Sequence, residues 1–190
     1  MGDVPEILVV ADTAAWRAWL DANEETSDGV WLLLAKKGTT SPTSLTYAQA
    51  LEEALCSGWI DGQSKREDDH TYRQRFTPRR KASLWSQRNI GIVAGLIESG
   101  RMRPRGHAEI ERAKADGRWD RAYAGQATAE VPEDLAAALA ASPEAAASFD
   151  ALSRQGRYSV LHRVLTAAKP ETRARRIATI VTRLAAGETP

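Results

Sequence analysis

The chain reads as an α+β protein: a small, mainly antiparallel sheet in the N-terminal half packed by helices, followed by an all-helical C-terminal half. Three observations predict this. Strand patterns are confined to the first ~80 residues and helical periods fill the rest, which is the segregated order of α+β folds. Val30–Ala35 (VWLLLA) is an unbroken apolar run between Gly29 and Lys36, suited to a strand buried on both faces. Thr71–Thr77 alternates, with Tyr72, Gln74 and Phe76 facing one way and Arg73, Arg75 and Thr77 the other.

In chain order, Ile7–Val10 reads as a short strand. Asp12 caps a helix carrying Trp16, Trp19 and Leu20 at i, i+3, i+4. After Val30–Ala35 and a polar loop, Thr46 and Gln49 form a T-x-x-Q capping box for a helix that stops near Gly58. Trp59–Lys65 and Thr71–Thr77 pair as a hairpin around Glu67–His70. Ser86 can cap a helix with Ile90, Val93, Ala94 and Ile97 on one face, closed by Gly100. Pro104, Pro132, Pro143 and Pro170 sit where helices begin, and a further helix is expected from Ser159. Residues 122–131 form the best linker. The expected organisation is an α+β domain over 1–121 and a helical subdomain over 132–190.

Composition removes some functions. The 190 residues carry a formal net charge of +1, so no global field draws the protein to nucleic acid or membrane. Cys56 is the single cysteine, so an intrachain disulfide is impossible. His70, His107 and His162 lack metal-ligand spacing, and neither a metal nor a cofactor is expected. No apolar run approaches ~20 residues. The N-terminus has no basic region before Ile7–Val10, and Glu6 stands where myristoylation of Gly2 wants Ser or Thr. The expected location is cytoplasmic.

One stretch stands apart. Between Thr71 and Ile97 lie Arg73, Arg75, Arg79, Arg80, Lys81 and Arg88 without one acid, interleaved with Tyr72, Phe76 and Trp85. Guanidinium forks bind anions and aromatics stack flat rings. The same composition also suits a solvated strand whose arginine stems cover apolar surface. Asp61 is placed on one strand face with Trp59, Gln63 and Lys65. There it either holds a cross-strand arginine or acts as a general base. Gly58 and Gly62 allow close approach by a backbone or a ligand. The helix entry at Ser83–Asn89 presents unsatisfied N–H groups, and Lys114–Tyr123 mixes aromatic and charged residues past a helix end. Together these give an expected ligand site of Trp59, Asp61, Lys65, Arg73, Arg75, Arg79, Arg80, Trp85, Ser86 and Asn89, with Asp61 the candidate catalytic group.

The segments "ALCSGWIDGQSK", "RQRFTPRRKASLWSQRN", "GLIESGRMRPRGHAEIERAKADGRWDRAY" and "VPEDLAAAL" resemble the bacterial YdeI/OmpD-associated family. Some of its members are labelled bacteriocin-protection proteins. The resemblance implies a small soluble bacterial protein with a role in antimicrobial or bacteriocin tolerance, and it carries no catalytic assignment. The leading expectation is a protein that binds a small anionic or aromatic ligand. An enzyme using Asp61 with an arginine anion clamp is the first alternative. A nucleic-acid or protein interaction module using Arg73–Arg88 is the second, with nucleic acid the less favoured partner.

Overall fold

In the computed structural model, residues 6–188 are described. Gly2, considered above for myristoylation, lies outside them. The chain forms two compact units, residues 1–83 with 89–119, and residues 84–88 with 120–190.

The first unit holds β1 (Ile7–Leu8), α1 (Thr13–Asn23), β2 (Val30–Ala35), α2 (Tyr47–Cys56), β3 (Trp59–Arg66), β4 (Thr71–Pro78), most of α3 (Gln87–Glu98) and α4 (Pro104–Ala115). The strand order is β1-β2-β4-β3. β1 runs parallel to β2, and the other two pairings are antiparallel. The expected caps form. Asp12 Oδ1 accepts the Ala15 N–H at 2.9 Å, and Gln49 Oε1 accepts the Thr46 N–H at 3.0 Å.

α1 and α2 back the sheet face that carries Phe76 and Trp59. The Trp16 ring lies 5.7 Å from Phe76, Trp19 meets Trp59 edge-on at 5.9 Å, and Trp16 Nε1 donates to the Ala50 carbonyl at 3.1 Å. Leu32 and Leu34 point the same way and are fully buried. The opposite face bears Trp31 and Leu33, aligned with Arg75 and Arg73 of β4.

Two expectations need correction here. β3 and β4 pair Asp61 with Phe76, but then Ser64 with Gln74 and Lys65 with Arg73. One extra residue therefore sits in β3 between Asp61 and Ser64. This bulge turns Lys65 to the face opposite Asp61, so Trp59, Asp61, Gln63 and Lys65 do not share a side. In α3 the buried positions are Asn89, Val93 and Leu96, while Ile97 is 43% exposed. Apolar residues surround much of that helix, so periodicity alone does not choose its buried face.

The end of α2 is closely packed. Gly58 has φ +70°, and a Cβ there would lie 2.8 Å from Glu109 Cγ and 3.1 Å from the Arg105 carbonyl oxygen. Gly106 is tighter still, since a Cβ would fall 2.3 Å from the Cys56 carbonyl oxygen. The close approach foreseen at Gly58 is thus made by α4. At Gly62 the nearest contact is an ordinary 3.7 Å to Arg75.

The second unit comprises Leu84–Arg88, α5 (Glu133–Ala140), α6 (Pro143–Ala151), α7 (Arg154–Leu165) and α8 (Pro170–Ala185). Leu84–Arg88 was expected with the sheet domain. It joins this unit through a short parallel bridge of Ser86 with Tyr123, in which Tyr123 N donates to Trp85 O and Gln87 N to Tyr123 O, both at 3.0 Å. Leu135, Leu139, Phe149, Val160, Val164, Ile177, Ile180 and Leu184 form the core. α7 begins five residues before the expected Ser159, because the Ser153 side chain caps it by accepting the Gly156 N–H at 3.1 Å.

Among the described residues no helix is long and apolar enough to cross a membrane. Cys56 is buried, and burial, reinforced by the Glu53 charge, pushes its thiol up to about 11.

Three outcomes are expected. Gly106→Ala lowers stability by about 1–3 kcal/mol, because the new methyl meets rigid backbone. Gly91→Ala, with open space at its Cβ, raises it by roughly 0.5–1 kcal/mol through helix propensity. Urea titration of both variants checks the pair. The Cys56 thiol stays unreactive towards a disulfide reagent at pH 8 in the native protein and reacts once the chain is unfolded in urea, since only about one thiol in a thousand is then ionised when native.

Candidate functional site

The residues of the expected site divide among several environments. Trp59 is wholly buried in the aromatic core, and Arg79 is 5% exposed, its N–H donating to the Gly58 carbonyl at 3.0 Å. Asn89 is also buried, within α3 of the first unit. Trp85 and Ser86, both buried, belong to the second unit. Arg80 is exposed at a turn in which its N–H donates to Ser83 Oγ at 2.9 Å. Ser83 therefore closes that turn.

Asp61 lies on the helix side of the sheet, paired across the strands with Phe76. Its Oδ2 accepts the Tyr47 hydroxyl at 2.8 Å. The arginines of β4 point to the other face, so the expected Asp61–arginine pair is not made. The physical cause is strand alternation: Arg73 and Arg75 are odd-numbered neighbours of Phe76's even-numbered face.

Lys65, Arg73 and Arg75 share the remaining face with Trp31. Lys65 Nζ stands 5.0 Å above the Trp31 ring, a cation–π arrangement. Arg73 is neutralised by Glu67 at 2.8 Å. Arg75, half-buried, makes no ion pair among the described residues. It opens instead into a cleft of about 590 Å³ lined by Glu6, Ile7–Val9, Trp19, Ser27, Gly29 and Val30. Gly29 makes that approach possible. It has φ +124°, and a Cβ there would sit 2.6 Å from Thr77 Cγ2 and 3.0 Å from Arg75 Nη2. The cleft thus combines the Arg75 guanidinium, without an ion pair among the described residues, a half-exposed indole, a hydroxyl, an apolar wall and the exposed Glu6 carboxylate. This is a composition for holding a small molecule by one anionic group and its apolar body.

The sequence reading missed a denser charge cluster. Glu53 of α2 is 5% exposed, and its two oxygens each receive a guanidinium at 2.7 Å, from Arg101 and from Arg103. Arg101 also reaches Glu52 at 2.6 Å, while Arg103 bonds Ser57 Oγ and approaches Asp21 at 3.3 Å. The available signal was Arg101-Met-Arg-Pro-Arg105 placed before a proline-led helix, opposite two adjacent glutamates. Every charge in this cluster has a partner, so it serves packing. Among the described residues no three His, Cys, Asp or Glu side chains group as a metal site.

The first unit is a mixed sheet backed by two helices with a cleft at Arg75, and the second unit is helical. The chain belongs to the family described as "Domain of unknown function (DUF8412)", whose model matches residues 8–109. Residues 128–187 match the family described as "Bacteriocin-protection, YdeI or OmpD-Associated". The resemblance seen in the sequence therefore holds for the C-terminal part, whereas the Gly58–Asn89 motifs fall within the first match. No curated protein matches the chain significantly, and no solved structure does.

Glu53→Ala is expected to destabilise by less than the ~3–5 kcal/mol of a fully buried pair, because it takes the main counter-charge from the largely buried Arg103 while Arg101, 39% exposed, keeps Glu52. Glu53→Gln, which keeps the shape but removes the charge, costs less. Urea midpoints of the two variants measure the difference.

Proposed function

We propose that this is a ligand-binding protein whose first unit holds a small anionic molecule with an apolar or aromatic body in the cleft at Arg75. The observation that carries the reading is the Arg75 guanidinium, unpaired among the described residues, opening into a cleft of small-molecule size beside Trp19. Its β4 neighbour Arg73 is neutralised by Glu67, so Arg75 is the cation of that pair with charge to offer. The bacteriocin-protection description matched by residues 128–187 supports a role in tolerance to a toxic compound, by sequestration. Asp61, on the far side of the sheet and held by Tyr47, shares no site with this cation, which counts against a base-and-clamp enzyme. Pairing of Arg73 and burial of Arg79 likewise reduce the charge available for a nucleic-acid backbone.

A thermal-shift panel of aromatic carboxylates, aryl phosphates and antimicrobial compounds tests the reading. A ligand at ~100 times its dissociation constant stabilises by about 2.7 kcal/mol, a shift of several degrees. The shift is expected to vanish in Arg75→Ala and to persist in Arg80→Ala, with the ligand recovered chemically unchanged. A shift that survives Arg75→Ala removes the cleft from the account, and ligand turnover removes sequestration.

A further inference from the structure

The second unit contains a cluster that the Arg75 reading does not use. Along α7 and its C-cap, residues Gln155, Tyr158, Ser159, His162, Arg163 and Thr166 fall on one stripe. Two clefts open along it and share Arg163. One, of about 430 Å³, is lined by Arg163, Thr166, Arg175, Arg176, Thr179 and Ile180. The other, of about 330 Å³, is lined by Tyr123, Gln155, Tyr158, Ser159, His162 and Arg163.

The first cleft collects three guanidinium groups and no carboxylate. Three other arginines of this unit are paired, Arg157 with Asp150, Arg173 with Asp134 and Arg183 with Glu188, while Arg121 and Arg154 have no ion pair among the described residues. Among the described residues Arg163, Arg175 and Arg176 have no ion pair. Arg176 is nonetheless fixed, since its Nη1 donates to the Arg163 carbonyl at 2.6 Å and approaches Thr166 Oγ1 at 3.4 Å. Gathering like charges without a counter-charge is unfavourable, and an anion in the cleft would relieve it. Guanidinium groups with adjacent hydroxyls suit the several oxygens of a phosphate.

The second cleft is aromatic. The His162 ring meets Tyr123 edge-on at 4.7 Å and Tyr158 at 5.8 Å, and Tyr158 Oη donates to the Ala124 carbonyl at 3.2 Å. Burial, with help from Arg176, holds the imidazole below its ordinary pKa, which favours an uncharged ring at neutral pH. Aromatic side chains with amide and hydroxyl groups beside them make a platform for a flat heterocycle. Both clefts are of small-molecule size.

We infer that the α7–α8 face is a second site, binding a phosphorylated ligand with an aromatic base: a nucleotide whose phosphates lie against Arg163, Arg175 and Arg176 and whose base lies against Tyr123, Tyr158 and His162. Titration calorimetry of the full chain with ADP, UDP, adenosine and inorganic pyrophosphate tests it. At least one of the two nucleotides is expected to bind more tightly than pyrophosphate and adenosine. Arg163→Gln/Arg175→Gln, which alters two exposed side chains, is expected to weaken that nucleotide at least tenfold. Tyr158→Ala brings the nucleotide down to the level of pyrophosphate and leaves pyrophosphate unchanged. Arg75→Ala leaves all of these values in place, which separates this site from the first. The inference fails if neither nucleotide binds, if neither exceeds pyrophosphate, or if the double variant binds as the wild type does.

Discussion

Glu53 is a carboxylate at the end of α2 that the fold cannot leave unpaired. Buried to 5% exposure, it would be costly alone, and Arg101 and Arg103 each meet one of its oxygens at 2.7 Å. This double clamp fixes the chain entering α4 against α2. Gly58 and Gly106 then permit the backbone approach that the clamp requires, because neither presents a Cβ. With α2 held, Leu51, Ala54 and Leu55 are buried in the core behind the sheet, and Tyr47 at its other end reaches Asp61. This joint sets α4 against α2, one of the two helices that back the sheet.

The sheet in turn divides its residues by parity, and one bulge alters the count. Phe76 and Gln74 face the helices, while Arg73 and Arg75 face away. The extra residue between Asp61 and Ser64 moves Lys65 to the arginine side, where it covers Trp31. A single insertion thereby gathers three cations on one face and leaves Asp61 with a tyrosine on the other. Within that face charge is unevenly compensated. Arg73 has Glu67, whereas Arg75 faces a cleft.

The helical unit shows the same logic of paired and unpaired cations. Its arginines near Asp134, Asp150 and Glu188 are neutralised. Asp134, hydrogen-bonded by Arg173, is held below the usual carboxylate range. That interaction contributes stability above the ordinary Asp value of about 3.9 and loses it as pH falls through the lowered one. Among the described residues the arginines along the α7–α8 cleft have no such partners.

Much of the fold was legible because it depends on local chemistry. VWLLLA, the Thr46–Gln49 box, the hairpin around Glu67–His70 and the proline-led helices are set by period, capping and turn residues within a few positions of each other. The α7 start was missed where the Ser153 cap preceded Gly156, a weak helix former. The candidate site was legible only as a composition. Sequence concentrated arginine and tryptophan between Trp59 and Asn89, but could not sort Trp59 and Arg79 into the interior, Trp85 into the other unit and Arg75 into a cleft. It did not tie Glu53 to its partners, which lie about fifty positions from it, or bring the α7 and α8 arginines together. The sequence by itself determined the elements, their order and the places where charge accumulates, because these follow from neighbouring residues. Only the tertiary structure decided which face each charge occupies and whether a counter-charge meets it, because a one-residue bulge and contacts between distant segments set both.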